Sequence, residues 1–367
     1  MIQEFRDVGD AQEKNAVCRK FCDPQANAYM IFMGRMDREN GAGNYIQMCC
    51  GGIMHPPKVK YGQTPAETFR NFFALREQVI RNSVEQEGSE DKKGFYCHVC
   101  EQFVQRDDRP WHCRADISLV NITVSPAPCQ GNCFYCDLRH DWYVWRDTAE
   151  VHAGYERLLE TLAYGRRKGL ISPEARWVFA SGEITIHPYK TQFLELLAGQ
   201  YAVFCTNGFL YDEDLAEFIR QNPRARINIS LDAGTAETWK KVKGFDNFAQ
   251  VKANLRRYNA DSAGGSSLLE LKYIVCLDMN DKEEDYQGFV GFAKELGVRQ
   301  ITLSRDMRYM YAKAYLPGGN RHSKLIAAAA RLHALCVEAG FDIKWLAYTQ
   351  ADIAAIEALS GQISTVR

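Results

Sequence analysis

From residue 116 onward, short apolar runs alternate with longer segments whose apolar residues recur at helical spacing. The runs are ISLVNITV (117–124), RWVFAS (176–181), YAVFCTNG (201–208), RINISLDA (226–233), LELKYIVCL (269–277) and RQITLSRD (299–306). Between them the periodicity predicts helices near 149–168, 190–198, 212–221, 248–258 and 283–296, followed by one over 323–340. Strands and helices alternating at this length predict parallel strands, because parallel neighbours need a helical crossover between them. Six such units predict an α/β fold over 116–345, either a partial barrel or an open parallel sheet, with a helical tail at 346–367. In both forms reactive groups belong in the loops at the C-terminal ends of the strands.

Residues 1–115 read as a separate, cysteine-rich domain with a polar interruption, EQEGSEDKKG (85–94). One helix is predicted there, TPAETFRNFFALREQVIRNSV, which opens on Thr64-Pro65, a capping residue followed by a first-turn proline. Upstream, NAYMIFMGRMD and NYIQMCC flank RENGAG, the pattern of a two-stranded hairpin with a Gly/Asn loop.

Charge changes this picture only by exclusion. The 45 basic and 46 acidic residues nearly cancel, so no general attraction to nucleic acid or to an acidic membrane is expected. No apolar run approaches the ~20 residues of a membrane helix, and MIQEFRDVGDAQEKNAVC lacks the apolar core of a secretory signal. A cytoplasmic protein is expected, in which the 13 cysteines stay reduced. Most of them stand at or before Cys136, too uneven a spread for small core residues, which points to metal or iron–sulfur ligation.

The densest group is CQGNCFYC, with Cys129, Cys133 and Cys136 on a loop carrying Pro126, Pro128, Gly131 and Asn132. Such residues let a backbone wrap closely, as three thiolates converging on one inorganic centre require. Spacing alone leaves three readings: an iron–sulfur cluster, a zinc site completed by His140, or three unconnected core cysteines.

The C-x3-C-x2-C spacing after the first strand resembles the radical SAM superfamily, as does aromatic Tyr135 before the last cysteine. The resemblance implies that the three cysteines hold three irons of a [4Fe–4S] cluster, leaving the fourth for S-adenosylmethionine (SAM). SGEITIHP (181–188) is similar to the family's GGE motif, with Ser181 in place of the first glycine, then Gly182 and Glu183 at the methionine amino group. FCTNG (204–208) resembles its strand-three turn, which implies Thr206 and Asn207 in contact with SAM. ISLDAGTAETWKKVKG (229–244) resembles the strand-four segment, which implies Ser230 and Asp232 near the methionine carboxylate and the ribose. LKYIVCLDMN (271–280) is similar to strand five, with Asn280 near the adenine. Glu183, Ser230 or Asp232 alone would more often be a loop, turn or cap residue; four stretches in order at successive strand ends are what carry the resemblance.

The cysteines upstream resemble an auxiliary-cluster module of the SPASM or twitch type, placed before the barrel rather than after it. That likeness implies a second [4Fe–4S] cluster on Cys22, Cys49, Cys97 and Cys100, with Cys18, Cys50 and Cys113 in reserve; a structural zinc stays open on the same spacing. The family chemistry implies reductive cleavage of SAM to a 5′-deoxyadenosyl radical and hydrogen abstraction, with flavodoxin or ferredoxin as electron donor. An auxiliary cluster implies net oxidation, by dehydrogenation or crosslinking. A thiol, Cys205 or Cys276, would instead imply epimerisation, although such cysteines are more often buried small hydrophobes. No stretch is spare for a peptide-recognition domain, which favours a small molecule such as a sugar or sugar nucleotide over a peptide. Trp142, Trp145, Arg305 and Arg308 are candidate pocket residues, with core packing the alternative for the tryptophans and an anionic group of substrate or cofactor the expected partner of Arg305. An iron–sulfur electron carrier or a zinc-stabilised binding protein is the non-enzymatic alternative; neither has a use for Glu183, Ser230 and Asp232 together.

Overall fold

A computed structural model describes residues 20–22, 29–33, 45–47, 58–85, 103–105, 116–136, 144–260, 267–306 and 313–366. The chain divides into two compact units, one of Met1–Pro128, Trp142–Gly182 and His187–Ala202, the other of Cys129–Asp141, Glu183–Ile186 and Val203–Arg367.

In the first unit the order is β1 (Lys20–Cys22), β2 (Tyr29–Met33), β3 (Tyr45–Gln47), β4 (Lys58–Lys60), α1 (Pro65–Glu85), β5 (Phe103–Gln105), β6 (Ile117–Ile122), α2 (Ala149–Arg167), β7 (Ile171–Phe179) and α3 (Lys190–Leu197). The expected hairpin is present as antiparallel β2 and β3, with Phe32 opposite Ile46. β2 also runs parallel to β6, Tyr29 opposite Leu119, so the hairpin extends the sheet that β6 and β7 begin. The expected helix starts where its sequence provides a cap: Thr64 Oγ1 accepts the Glu67 N–H at 3.2 Å, and the Glu67 carboxylate reaches back to the Gln63 N–H at 2.7 Å. These bonds satisfy donors that a helix start otherwise leaves open. Its Phe69 and Phe72 are fully buried, Phe69 stacking on Tyr164 of α2.

The second unit holds β8 (Tyr201–Thr206, entered from the first unit), α4 (Glu213–Gln221), β9 (Arg226–Ser230), α5 (Ala236–Lys243), α6 (Phe248–Ala260), β10 (Leu269–Val275), α7 (Glu283–Glu295), β11 (Gln300–Arg305), α8 (His322–Glu338), β12 (Asp342–Leu346) and α9 (Gln350–Val366). β8 to β12 are parallel and pair in chain order. Their registers set apolar residues side by side: Phe204 beside Ile227, Leu271 beside Ile229 and Ile301, all buried. Burying such rows supplies the main driving force, about 25 cal/mol per Å² of apolar surface.

The fold is of the α/β parallel-strand partial-barrel class that the alternation predicts. In the first unit the short strands β1, β4 and β5 are additional, and in the second unit two elements are. β12, DIKWL, pairs only with β11 among the described strands and is half-exposed, so its sequence lacks the dense apolar run of its neighbours. α5, AETWKKVK, is short and lysine-rich and depends on its ends. Thr235 caps it, Gly244 closes it at φ 77°, and buried Asp285 of α7 accepts bonds from Gly234 N, Thr235 N, Thr235 Oγ1 and Thr238 Oγ1. A β-carbon on Gly234 would run into the backbone of Asp285, so only glycine admits this approach. No helix among the described residues is long and apolar enough to cross a membrane.

Candidate cofactor site

The cysteine loop belongs to the second unit and is pinned by main-chain bonds to the end of α5. Asn132 N donates to Lys243 O at 3.3 Å and Phe134 N to Val242 O at 3.0 Å. Cys129, Cys133 and Cys136 are half-buried and, among the described residues, form no disulfide. Two of the sulfurs gather round a residue with no side chain: a β-carbon on Gly131 would lie 3.3 Å from Cys129 Sγ and 3.7 Å from Cys133 Sγ. The Gly131 N–H donates to Cys129 Sγ at 3.3 Å.

Burial pushes the Cys129 thiol up to about 12; the Gly131 N–H opposes this, while the charges of Glu183 and the neighbouring cysteines add to it. Bound iron reverses that balance, since a coordinated thiol gives up its proton. Three reduced, partly buried cysteines on one loop, two of them beside a glycine, therefore fit an iron–sulfur cluster. No described group of three His, Cys, Asp or Glu could hold a single metal ion. Ligands of a cubane each take a different iron and need not share one. His140, the zinc alternative's fourth ligand, lies outside the described residues.

Glu183 is buried, and its carboxylate ties the loop after β7 to the turn after β8. Oε1 accepts from Thr206 Oγ1 at 2.6 Å, Thr185 Oγ1 at 3.0 Å and Thr185 N at 3.2 Å, and Oε2 accepts from Asn207 N at 2.8 Å. Burial raises its pKa and these four donors pull the other way, the net shift being upward. Asn207 in turn accepts the Phe209 N–H on Oδ1 at 2.8 Å and directs Nδ2 at Cys129 Sγ, 3.8 Å away.

Asp232 adopts φ 55°, a left-handed conformation that Asp tolerates better than most residues, and is fully buried. Its Oδ1 accepts from Ile274 N at 2.7 Å, and its Oδ2 meets Lys243 Nζ at 2.6 Å and the Tyr135 hydroxyl. Lys243 Nζ also donates to the Tyr135 oxygen at 2.6 Å. Burial pulls the Lys243 pKa down, but the Asp232 carboxylate together with Cys133 and Cys276 outweighs it and the net shift is upward. Tyr135 is held well above its ordinary value by burial and by the Asp232 charge, so it stays a phenol. Lys243 escaped the sequence reading, though it lies inside the quoted strand-four segment. The available signal was a lysine directly before the helix-ending Gly244, whose side chain can turn back toward Asp232.

Asn280 is buried with both amide hydrogens spent, on Asp232 O at 2.9 Å and Ile274 O at 2.8 Å, while its Oδ1 accepts Cys276 N at 2.8 Å. Its side chain thus organises the β10 loop and holds the main chain of Asp232. Ser230 ends β9, half-buried and level with Lys272. Arg305 ends β11, 5% exposed, with Nη1 3.4 Å from Asp352 Oδ2 and its buried Nε without a partner among the described residues. It lines a cavity of about 380 Å³ with Phe134, Cys276, Asp306, Tyr315 and Arg321.

Ser181 and Gly182 belong to the first unit. Ser181 Oγ donates to Val124 O at 2.6 Å and contacts the Tyr155 hydroxyl at 3.3 Å, which gives the serine a structural use where the family carries glycine. Gly182 has φ 61°, and a β-carbon there would strike the Pro128 carbonyl. Trp145 is half-buried and packs on the rings of Tyr155, His152 and His187. Cys205 lies half-buried on β8. Trp142, Arg308, Cys18, Cys49, Cys50, Cys97, Cys100 and Cys113 lie outside the described residues, as does the side chain of Cys22.

Residues 127–264 match the family described as the radical SAM superfamily. A probable GTP 3′,8-cyclase of Saccharolobus solfataricus is 27% identical over 187 residues, 50% of this chain and 55% of that protein. One from Saccharolobus islandicus is 35% identical over 98 residues, 27% of this chain and 30% of that protein. The chain thus spans about half the length of the first of these relatives and less of the second. Streptococcus suis SuiB bound to precursor peptide SuiA superposes with TM-score 0.42 at 11% identity, over 95% of this chain and 91% of that one.

Proposed function

We propose, for a chain that belongs to the radical SAM superfamily through residues 127–264, that it is an enzyme acting on a small anionic molecule, a nucleotide or sugar nucleotide. Cys129, Cys133 and Cys136 would hold a [4Fe–4S] cluster, and Glu183 in the loop after β7 with the ends of β8 to β11 would hold SAM. When bound, these groups supply one-electron cleavage of SAM and a 5′-deoxyadenosyl radical that takes a hydrogen atom from substrate.

The residues have distinct tasks. Glu183 fixes the turn carrying Thr206 and Asn207 and keeps one oxygen, Oε2, with capacity for a further donor such as the methionine ammonium. The Asp232–Lys243 pair holds Tyr135, and with it the cysteine loop, at the mouth of β9. Arg305, which lines the cavity and whose buried Nε has no partner among the described residues, offers an anchor for a phosphate or carboxylate. That arginine is the observation carrying the choice of an anionic substrate, and the cyclase relatives, named for a nucleotide, lend it support.

Cys22, Cys49, Cys97 and Cys100 are assigned to an auxiliary [4Fe–4S] cluster in residues 1–115, which would accept the substrate's electron and make the reaction a net oxidation. A second reading, epimerisation, is favoured by Cys276, whose residue lines the same cavity. A flavodoxin or ferredoxin is the proposed electron donor. The test incubates reconstituted protein, SAM and reductant with GTP, with a sugar nucleotide, or with neither. A nucleotide that speeds 5′-deoxyadenosine formation and changes mass by a loss of hydrogen supports the oxidative reading. Nucleotide recovered with the same mass and connectivity, and with no deuterium gained in D2O, rejects the substrate class, and deuterium gained from solvent at unchanged connectivity favours epimerisation.

A further inference from the structure

We infer that Asn207 is a positioning residue for the cluster, its side-chain amide donating an N–H···S bond to Cys129 that raises the reduction potential. The inference rests on the reading of Cys129 as an iron ligand. Nδ2 lies 3.8 Å from Cys129 Sγ, and the direction of the amide is not arbitrary. Oδ1 accepts the Phe209 N–H at 2.8 Å, which leaves the NH2 end facing the sulfur. The main chain beneath is fixed as well. Asn207 N donates to Glu183 Oε2 at 2.8 Å, and Thr206 Oγ1 accepts Gly208 N at 3.2 Å while donating to the same carboxylate.

Gly131 opens the space in which sulfur and amide meet, since a β-carbon there would lie 3.3 Å from Cys129 Sγ and 3.7 Å from Asn207 Nδ2. The Gly131 N–H reaches the same sulfur at 3.3 Å, so Cys129 carries two N–H donors. Asn207 is 8% exposed, so little water competes for the bond. A donor aimed at a ligand sulfur favours the more negative state of the centre, and reduction adds that charge. The amide therefore eases reduction. The strand-three resemblance alone gives Asn207 a contact with SAM; the geometry points to the ligand sulfur instead.

The test is a redox titration of the full chain, reconstituted anaerobically, following the EPR signal that changes when SAM is added. Asn207→Asp keeps the acceptor for Phe209 N and removes the donor, and Asn207→Ala removes both. With iron retained, both variants should be harder to reduce by about tenfold, about 59 mV for one electron. An unchanged midpoint in iron-replete variants overturns the inference. If the variants lose iron, the unsubstituted holoprotein decides: labelled with side-chain 15N-asparagine, it should give a nitrogen coupling to the cluster in pulsed EPR, and its absence overturns the inference. Failure of the unsubstituted protein to take up iron sinks the cluster reading itself, and this inference with it.

Discussion

Lys243 and Asp232 meet as a buried ion pair, Nζ 2.6 Å from Oδ2, with side chains 1% and 0% exposed. Removing one member of such a pair strands the other charge and typically costs about 3–5 kcal/mol. Lys243→Met should therefore lower the unfolding free energy by about that amount, and Lys243→Met with Asp232→Asn should recover part of it. Urea denaturation measures both. A Lys243→Met variant as stable as the parent would show that the pair does not hold the cysteine loop.

Glu183 gives a prediction about pH. Its folded pKa is raised, so over the interval above its unfolded value the native state keeps a proton that the unfolded state has lost. Stability then falls as pH rises through that interval, by the linkage between proton binding and folding. Glu183→Gln removes this contribution. The stability difference in favour of the parent should shrink as pH rises above about 4.5, followed by chemical denaturation of the cluster-free protein. A difference that stays flat or widens contradicts the assignment.

The cysteines of residues 1–115 are tested by metal content. The reconstituted parent should carry about eight irons, and Cys97→Ala should lose about half, as expected for two [4Fe–4S] clusters with one removed. Unchanged iron, or zinc in its place, contradicts the auxiliary-cluster assignment.

Much of the fold was legible because burial on both faces writes itself into parallel strands as dense apolar runs: FCT, INIS and KYIV stand where β8, β9 and β10 lie. DIKWL was not legible, being a half-exposed strand with alternating polar residues. α5 was missed because Asp285, more than 40 residues away in the chain, holds its start. The same limit applies to the candidate site. Cys129, Glu183, Asn207 and Asp232 were found as motif residues, but which residue bonds to which was not. For Lys243 the only local trace of its reach back to Asp232 is its place before Gly244, and nothing local in Asn280 reports that both its amide hydrogens are spent on the main chain.

The central claim is that Cys129, Cys133 and Cys136 hold a cluster that cleaves SAM. The most direct measurement is 5′-deoxyadenosine formed by the anaerobically reconstituted full chain with SAM and a strong reductant, set beside Cys133→Ala. The account predicts that the parent forms 5′-deoxyadenosine and methionine and that the variant forms neither while keeping the iron of the other cluster. A parent with its iron in place that leaves SAM intact, or a Cys133→Ala variant that cleaves SAM as well as the parent, would contradict it.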